Sequence, residues 1–343
     1  LPAKVHATLD RREALDGADY VIIMVQAGGL DAFKCDVEIP LKFGDAQCVG
    51  DSLGPGGVFR GLLTVPLLKD IVSDMKELCP HAVILNYSNP MAMNCLALGK
   101  MTDIGFIGLC HGVQTTLDLI SRYVGVPKPQ IDFLCAGINH MAWFLSLLDR
   151  RNGKDLYPLL RRNAEKPEYY VNEKVRCEVM RHFGYFMTES TGHLSEYLPW
   201  FRSSKRALSL YCDQPGFGGE TGAYYTFCKA LGDSFKTANY LETEDAKIKS
   251  RSVEYCSYIL EAMETNKPFR LNGNVRNDGY ISNLPAGCCV EVPVFVDSLG
   301  LHPVRVGNLP PQCAALNQSN VSSQALAAEA ALTGNPELVM DAI

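Results

Sequence analysis

Four short apolar segments, rich in β-branched residues, occupy the first 140 positions of this 343-residue chain. They are Tyr20 to Val25, Ala82 to Leu85, Ile104 to Leu109 and Ile131 to Cys135. Short runs of this kind are typical of strands covered on both faces, so each is predicted to be a buried parallel strand. Helical patterns separate them, notably at Val58 to Leu78 and Met91 to Thr102. The alternation predicts a doubly wound, Rossmann-like α/β sheet.

The second half of the chain has a different character, and we predict two domains: residues 1–135, which would bind a dinucleotide, and residues 136–343, an α+β substrate and metal domain. The second domain is expected to contain two charged or polar helical stretches, a glycine-rich region, an extended segment and an alanine-rich helix. These are Asp155 to Phe186, Glu242 to Glu264, Gly216 to Gly222, Gly279 to Asp297 and Ser322 to Ile343.

Composition favours a protein that acts on small molecules. The net charge is −6 and the basic residues are scattered, so neither nucleic acid nor an anionic membrane is an expected partner. No apolar run approaches the roughly 20 residues needed to span a bilayer, and the first residues are too polar for a signal peptide. The 13 cysteines include no CxxC pair and are interpreted as reduced thiols. We therefore expect a cytoplasmic location.

Polar or glycine-rich residues follow all four predicted strands, where open α/β sheets bind their ligands. The four segments are Gln26-Ala-Gly-Gly, Asn86-Tyr-Ser-Asn-Pro, Cys110-His-Gly and Gly137-Ile-Asn-His. A dinucleotide-binding unit would also be expected to open with GxGxxG, and the chain has no such motif after a strand. We therefore expect about two strands and a helix, including that glycine loop, to be missing from the amino terminus.

Cys110 and His140 stand at two of these strand ends and supply a thiolate and an imidazole, ligands that suit a divalent transition metal. Two protein ligands would leave positions open for a substrate that chelates through adjacent hydroxyls. From spacing alone the alternative stays open that Cys110 fills the core and His140 caps a loop.

Five sequence blocks together resemble the signature blocks of family-4 glycoside hydrolases, in particular the melibiase (α-galactosidase) branch. They are Val49-Gly-Asp-Ser-Leu-Gly-Pro-Gly-Gly-Val-Phe-Arg60, Asn86-Tyr-Ser-Asn-Pro-Met-Ala92, Gly108-Leu-Cys-His-Gly-Val-Gln114, Ala136-Gly-Ile-Asn-His-Met-Ala-Trp143 and Gly192-His-Leu-Ser-Glu-Tyr-Leu-Pro-Trp200. The resemblance implies an α-glycosidase that uses NAD and a divalent metal, usually Mn²⁺. It implies oxidation of the sugar at C3, removal of the C2 proton and elimination of the leaving group. We expect a homodimer or homotetramer.

Site residues follow from the same resemblance. Cys110 and His140 match the metal ligands, Asn89 matches the asparagine that holds sugar hydroxyls, and His111 takes the place of the acid beside the metal cysteine. Gln26 and Asn86, at the first two strand ends, are predicted to contact the cofactor.

The base is less narrowly defined, because the family uses a tyrosine in some branches and an aspartate in others. Tyr197 and His193 are equal candidates, and Glu196 is interpreted as a hydrogen-bonding partner. Asp51 and Arg60 are predicted to hold the sugar or the cofactor, or alternatively to serve as a helix cap and a surface charge.

Alternatives remain open for the sugar that is cleaved and for the class of enzyme. His-Gly-Val-Gln after Cys110 is closer to the α-galactosidase branch than to the phosphoglucosidases, so a 6-phosphosugar is disfavoured. α-Galacturonidase, α-glucuronidase and α-glucosidase activities remain open. A 2-hydroxy-acid dehydrogenase would share the scaffold and NAD but would use no metal, and a chain without the glycine loop could fold and be inert.

Overall fold

The protein, seen here in a computed structural model whose described residues are 4–237 and 251–343, is built on one mixed sheet. In these residues the sheet has nine strands. They are β1 (Tyr20–Ile23), β2 (Val83–Asn86), β3 (Phe106–Gly108), β4 (Ile131–Ile138), β5 (Met141–Asp149), β6 (Lys154–Asp155), β7 (Phe269–Arg276), β8 (Cys289–Asp297) and β9 (Gly300–Pro303). The spatial order is β1-β2-β3-β7-β8-β4-β5-β6, and β9 pairs with β8.

Fourteen α-helices accompany the sheet in the same residues. They are α1 (Arg11–Leu15), α2 (Gly29–Lys42), α3 (Gly54–Leu78), α4 (Met91–Met101), α5 (Gly112–Val124), α6 (Tyr157–Ala164), α7 (Pro167–Tyr170), α8 (Lys174–Phe183), α9 (Thr191–Leu194), α10 (Lys205–Tyr211), α11 (Ala223–Thr237), α12 (Cys256–Thr265), α13 (Pro311–Thr333) and α14 (Pro336–Ala342). No helix in the described ranges has the length and apolar character needed to cross a membrane.

The first three strands confirm the predicted parallel α/β unit. Residues Tyr20 to Ile23 pair in parallel with Val83 to Asn86, and β2 pairs in parallel with β3. The predicted helices are present as α3 and α4, and α3 begins at Gly54, four residues earlier than predicted. The glycine-rich segment after β1 was not predicted to be helical, yet α2 begins there at Gly29.

The prediction of a fourth parallel strand was wrong. β4 runs antiparallel to both β5 and β8. Only Asn139 and His140 separate β4 from β5, and a connection of two residues permits an antiparallel hairpin but no parallel crossover. The sequence could not show this because antiparallel strands covered on both faces carry the same continuous apolar pattern.

The later predictions were right in kind and less accurate in their bounds. The charged stretch before Phe186 forms three short helices, α6 to α8, and the extended segment narrows to β8. The alanine-rich pattern belongs to α13 and α14, and α13 begins at Pro311. Of the predicted helix near Glu242 to Glu264, the part before residue 251 lies outside the described residues. Residues 251–255 are not helical, and α12 begins at Cys256.

The sheet brings the ends of β3 and β4, which lead to Cys110 and His140, to the same edge. One row of paired residues runs from Asn86 through Gly108, Asn274 and Glu291 to Gly137. β7 and β8 therefore lie between the strand that leads to Cys110 and the strand that leads to His140. The largest cluster of buried hydrophobic residues draws on both halves of the chain, so the two strand ends are held in one packed unit.

Candidate active site

Two adjoining cavities lie at the carboxyl ends of the parallel strands. One, of about 320 Å³, is lined by Cys110, His111, His140, Glu189 and His193 among others. The second, of about 270 Å³, has Gln26, Ser88 and Arg60 on its wall. The two cavities share five lining residues. These are Met24, Asp51, Tyr87, Asn89 and Tyr224.

Cys110, His140 and Glu189 bring one ligand atom each to within 4.8 Å of one another. A thiolate, an imidazole and a carboxylate are a donor set that a divalent transition metal accepts. The structure thus unites the two predicted ligands and adds Glu189, which sequence reasoning did not select. Glu189 belongs to the Glu189-Ser-Thr-Gly-His193 segment, where a single carboxylate carries no spacing signal of its own.

The backbone at two of these three residues is unusual. His140 has φ of 62° and Glu189 has φ of 75°, and Asn266 is the one other described non-glycine residue with positive φ. This conformation costs free energy for a residue with a Cβ and persists where the surroundings enforce it, commonly at functional sites. The strain at both residues is a second observation, independent of distance, that marks this cluster.

Burial and neighbouring charges determine the protonation states of the three side chains in this cluster. Burial lowers the pKa of His140 to about 4, so its imidazole is neutral and can donate a lone pair. Burial opposes ionisation of Glu189, but the attraction of the His140 and His193 rings in their protonated forms outweighs it and holds the pKa of Glu189 below its ordinary value. Burial raises the pKa of the Cys110 thiol, and the charges of Glu189 and Glu291 raise it further. Metal binding must therefore displace the proton of Cys110.

His193 on α9 is held between two glutamates. Its Nδ1 lies 3.1 Å from Glu189 Oε2, and its Nε2 lies 4.0 Å from Glu196 Oε2. Burial opposes a charge on His193, but these carboxylates outweigh it and raise its pKa to about 9. Glu196 in turn accepts hydrogen bonds from the backbone of Val49 and Gly50. The prediction of Glu196 as a hydrogen-bonding partner agrees with these contacts.

Tyr197 lies directly behind His140. Its hydroxyl is 3.3 Å from His140 Nδ1, and the Ser52 hydroxyl is 3.4 Å from the same nitrogen. These two contacts fix the orientation of the His140 ring, as second-layer partners of metal-binding histidines do. Burial raises the pKa of Tyr197 well above its ordinary value, so its hydroxyl is protonated.

Asp51 and Asn89 form a pair on the wall that the two cavities share. Asn89 Nδ2 donates to Asp51 Oδ2 at 2.8 Å, and Ser52 donates to Asp51 Oδ1 at 2.7 Å. The helix-cap alternative for Asp51 is not supported, because the residue before α3 is Leu53 and no side chain caps the helix. Asp51 instead connects the asparagine with the hydroxyl that touches His140.

Arg60 is buried rather than a surface charge. Its guanidinium pairs with Asp36 and donates to the Ala27 carbonyl at 3.0 Å, and the side chain lines the second cavity. Gln26 is exposed on the same wall. Asn86 is fully buried, and its side chain is hydrogen-bonded to the backbone of Ser88. Asn86 therefore stabilises the backbone at this strand end. Its predicted contact with a cofactor gains no support from these hydrogen bonds.

His111 stands at the mouth of the first cavity with about half of its side chain exposed. Its Nδ1 lies 2.9 Å from Glu254 Oε1, and this hydrogen bond raises the pKa of His111. Glu254 was not identified from the sequence, because it is 143 residues away and belongs to no recognisable motif.

The chain matches two family models along almost its entire length. Residues 1–126 match the model of family 4 glycosyl hydrolases, and residues 135–343 match that of their C-terminal domain. Two curated relatives are alpha-galactosidases: one from Rhizobium meliloti, 41% identical over 100% of this chain and 71% of its own, and one from Bacillus subtilis, 40% identical over 97% and 76%. The crystal structure of lplD from Bacillus subtilis, described as a glucosidase, superposes with a TM-score of 0.85 at 27% identity, covering 98% of this chain and 80% of its own. The chain belongs to family 4 of the glycosyl hydrolases.

Proposed function

We propose that this protein is an NAD- and divalent-metal-dependent α-galactosidase. The observation that carries the proposal is the cluster of Cys110, His140 and Glu189 beside a cavity at the carboxyl ends of the parallel strands. The α-galactosidase relatives support the choice of sugar. Relatives described as alpha-glucosidase and alpha-galacturonidase are less similar, at 30% and 28% identity.

The donor set fits Mn²⁺ or a similar divalent ion. Cys110, His140 and Glu189 would hold it, and three protein ligands leave coordination positions for two sugar hydroxyls. The second cavity lies where open α/β sheets bind dinucleotides, and its wall is continuous with the metal cluster through Asp51 and Asn89. Gln26 and Arg60 would face the cofactor from that wall.

When bound, NAD would take hydride from C3 and the metal would polarise the oxygen on C3, which makes the C2 proton acidic. Asn89 and Asp51 would hold the sugar hydroxyls. We assign removal of the C2 proton to Tyr197 in its phenolate form. The Tyr197 hydroxyl is protonated in the metal-free site, and a divalent cation held by the adjacent His140 would lower its pKa, so that the phenol proton leaves to solvent before the C2 proton is taken. Both nitrogens of His193 face carboxylates, and its pKa of about 9 keeps it protonated at neutral pH, so His193 is assigned to positioning Glu189.

His111 would give a proton to the leaving glycosidic oxygen. Its hydrogen bond with Glu254 raises its pKa, which increases the protonated fraction of the imidazole at neutral pH. Its place at the mouth of the cavity is where the leaving group must depart.

The proposal can be tested with substrates deuterated at C2. Hydrolysis of 4-nitrophenyl α-galactoside, measured with NAD and Mn²⁺ present, should be faster than that of the matching α-glucoside and α-galacturonide. Deuterium at C2 should slow turnover, because the C2–H bond breaks in the proposed route and stays intact in direct acid-base hydrolysis. Equal rates for the protonated and deuterated galactoside, with no exchange of C2 hydrogen into solvent, would contradict the route.

A further inference from the structure

We propose that Phe217 forms a stacking surface for a ring in the leaving group, so that the enzyme selects α-galactosides whose leaving group is itself a pyranose or aryl ring. This inference rests on the proposed function and extends it from the galactosyl unit to the group that departs. It starts from the rim of the cavity that contains Cys110, His140 and Glu189.

Phe217 differs from the other exposed phenylalanines. Six phenylalanines are exposed in the described residues, and Phe217 is the one among them that lines the metal cavity. The others are Phe43, Phe59, Phe227, Phe235 and Phe295. Phe217 is 39% exposed, so part of its ring is open to whatever occupies the mouth of the cavity. It does not line the second cavity, which separates it from the proposed cofactor side.

The ring of Phe217 belongs to a cluster of three aromatic side chains. Its centroid lies 6.1 Å from that of Tyr224 and 6.2 Å from that of Phe227, and these two rings are 6.3 Å apart with an interplanar angle of 16°. Tyr224 also lines the metal cavity, whereas Phe227 supports the other two rings from outside it. Contacts of this kind orient a ring and restrict its rotation.

The backbone under Phe217 is fixed against the metal site. A Cβ added at Gly192 would lie 2.7 Å from the Phe217 carbonyl oxygen and 2.9 Å from the Gly219 nitrogen, so α9 and the Phe217 turn are in close contact. Gly192 directly precedes His193, which contacts Glu189. The distance between the aromatic surface and the metal ligands is therefore set by packing rather than by a free loop.

The leaving group would extend from the bound galactosyl unit toward the aromatic surface at Phe217. The metal ligands, Asn89 and Asp51 would anchor the galactosyl unit inside the cavity, so the glycosidic oxygen and the group beyond it face the mouth, where His111 stands. A pyranose carries a face of C–H bonds and an aryl group carries a flat π surface, and both stack on an aromatic ring. A methyl leaving group offers no such face.

The test compares three α-galactosides that differ only in the leaving group: methyl, 4-nitrophenyl and a glucosyl unit. For Phe217→Ala, the ratio of kcat/KM for the two ring-bearing substrates to kcat/KM for the methyl glycoside should fall roughly five- to tenfold. Phe217→Trp should restore the ratio, because it supplies a larger aromatic face. Phe217→Leu keeps an apolar side chain of similar size in case the alanine variant folds poorly, and it should also lower the ratio. Phe43→Ala, which removes an exposed phenylalanine outside both cavities, is the matched control and should leave the ratio unchanged.

The outcomes separate this inference from the proposed function. Failure of the unaltered full-length protein to cleave any of the three galactosides with NAD and Mn²⁺ present would overturn the proposed function and this inference together. Cleavage of all three with a ratio that neither Phe217→Ala nor Phe217→Leu changes would overturn the stacking surface alone. A lowered ratio for only one of the two ring-bearing substrates would identify the kind of ring that the surface binds.

Discussion

At the scale of single residues, the candidate metal site depends on side chains that are widely separated in sequence. Cys110 follows β3, His140 is in the turn of a hairpin, and Glu189 precedes α9. Burial and neighbouring groups set the protonation state of each residue. His140 is neutral, Glu189 is ionised, and Cys110 keeps its proton until a cation displaces it. The chemistry of the site therefore arises from the environment and not from residue type alone.

The role of Glu189 gives the first prediction. Glu189→Gln keeps the shape of the side chain and removes its charge, so the affinity for Mn²⁺ should fall by at least the roughly 10- to 100-fold that loss of an outer-shell partner costs. Titration calorimetry with Mn²⁺ measures this directly. Glu168→Gln removes an exposed carboxylate of α7 and is the control that should bind Mn²⁺ normally. An unchanged affinity in Glu189→Gln would show that the carboxylate is not a ligand.

The second prediction concerns Tyr197 and His193, because substitutions of these two candidate bases should have different effects on kcat and on Mn²⁺ binding. Tyr197→Phe removes the oxygen that would take the C2 proton, so kcat at saturating Mn²⁺ should fall by about 10²- to 10⁴-fold, while the Ser52 contact still orients His140 and limits the loss of Mn²⁺ affinity. His193→Gln should instead weaken Mn²⁺ binding, since Glu189 loses its partner. Full kcat in Tyr197→Phe, together with normal Mn²⁺ binding and lost turnover in His193→Gln, would reverse the assignment.

At the scale of elements, close contacts between short segments hold the site together. The β4–β5 hairpin places His140 at its turn, and the Gly192 contact holds α9 against the turn at Gly216–Gly218. Glycine at 192 is required by space: an added Cβ would lie 2.6 Å from the Cys48 sulfur, closer than real Cβ contacts allow. The precise placement of His193 therefore depends on the absence of a side chain at the preceding residue.

Gly192→Ala should consequently destabilise the protein. Forcing a methyl group into a packed contact costs about 1–3 kcal/mol, so the unfolding temperature should be measurably lowered. Gly105→Ala is the matched control, because nothing lies within 4 Å of a Cβ at that exposed position. Calorimetry of both variants makes the comparison. Equal unfolding temperatures for Gly192→Ala and Gly105→Ala would contradict the packing argument.

At the scale of the whole molecule, the sequence predicted the parallel unit well because its strands are local patterns of apolar residues. The strand-end pattern predicted that Cys110 and His140 lie close together, whereas Tyr197 was predicted to join them only through the resemblance to a family. The sequence missed the antiparallel direction of β4, since direction depends on a two-residue connection that apolar periodicity does not reveal. It missed Glu189 and Glu254, because each reaches the site through tertiary packing between segments that are far apart in the chain.

The fold brings the cavity proposed for the cofactor and the cavity with the metal cluster together in one cleft. The cavity with Gln26 and Arg60 and the cavity with the metal cluster share the wall formed by Asp51 and Asn89. An oxidation at C3 needs both an acceptor for hydride and a cation at the C3 oxygen, so the two cavities should function only together.

The most direct test of this account is a reconstitution assay. The full-length protein, with its glycine loop, is freed of metal by a chelator and of nucleotide by gel filtration. Cleavage of 4-nitrophenyl α-galactoside is then followed after adding NAD alone, Mn²⁺ alone, or both. The account predicts turnover only when both are present, and none in Cys110→Ser under any of these conditions. Full turnover in the stripped protein with neither addition would contradict it.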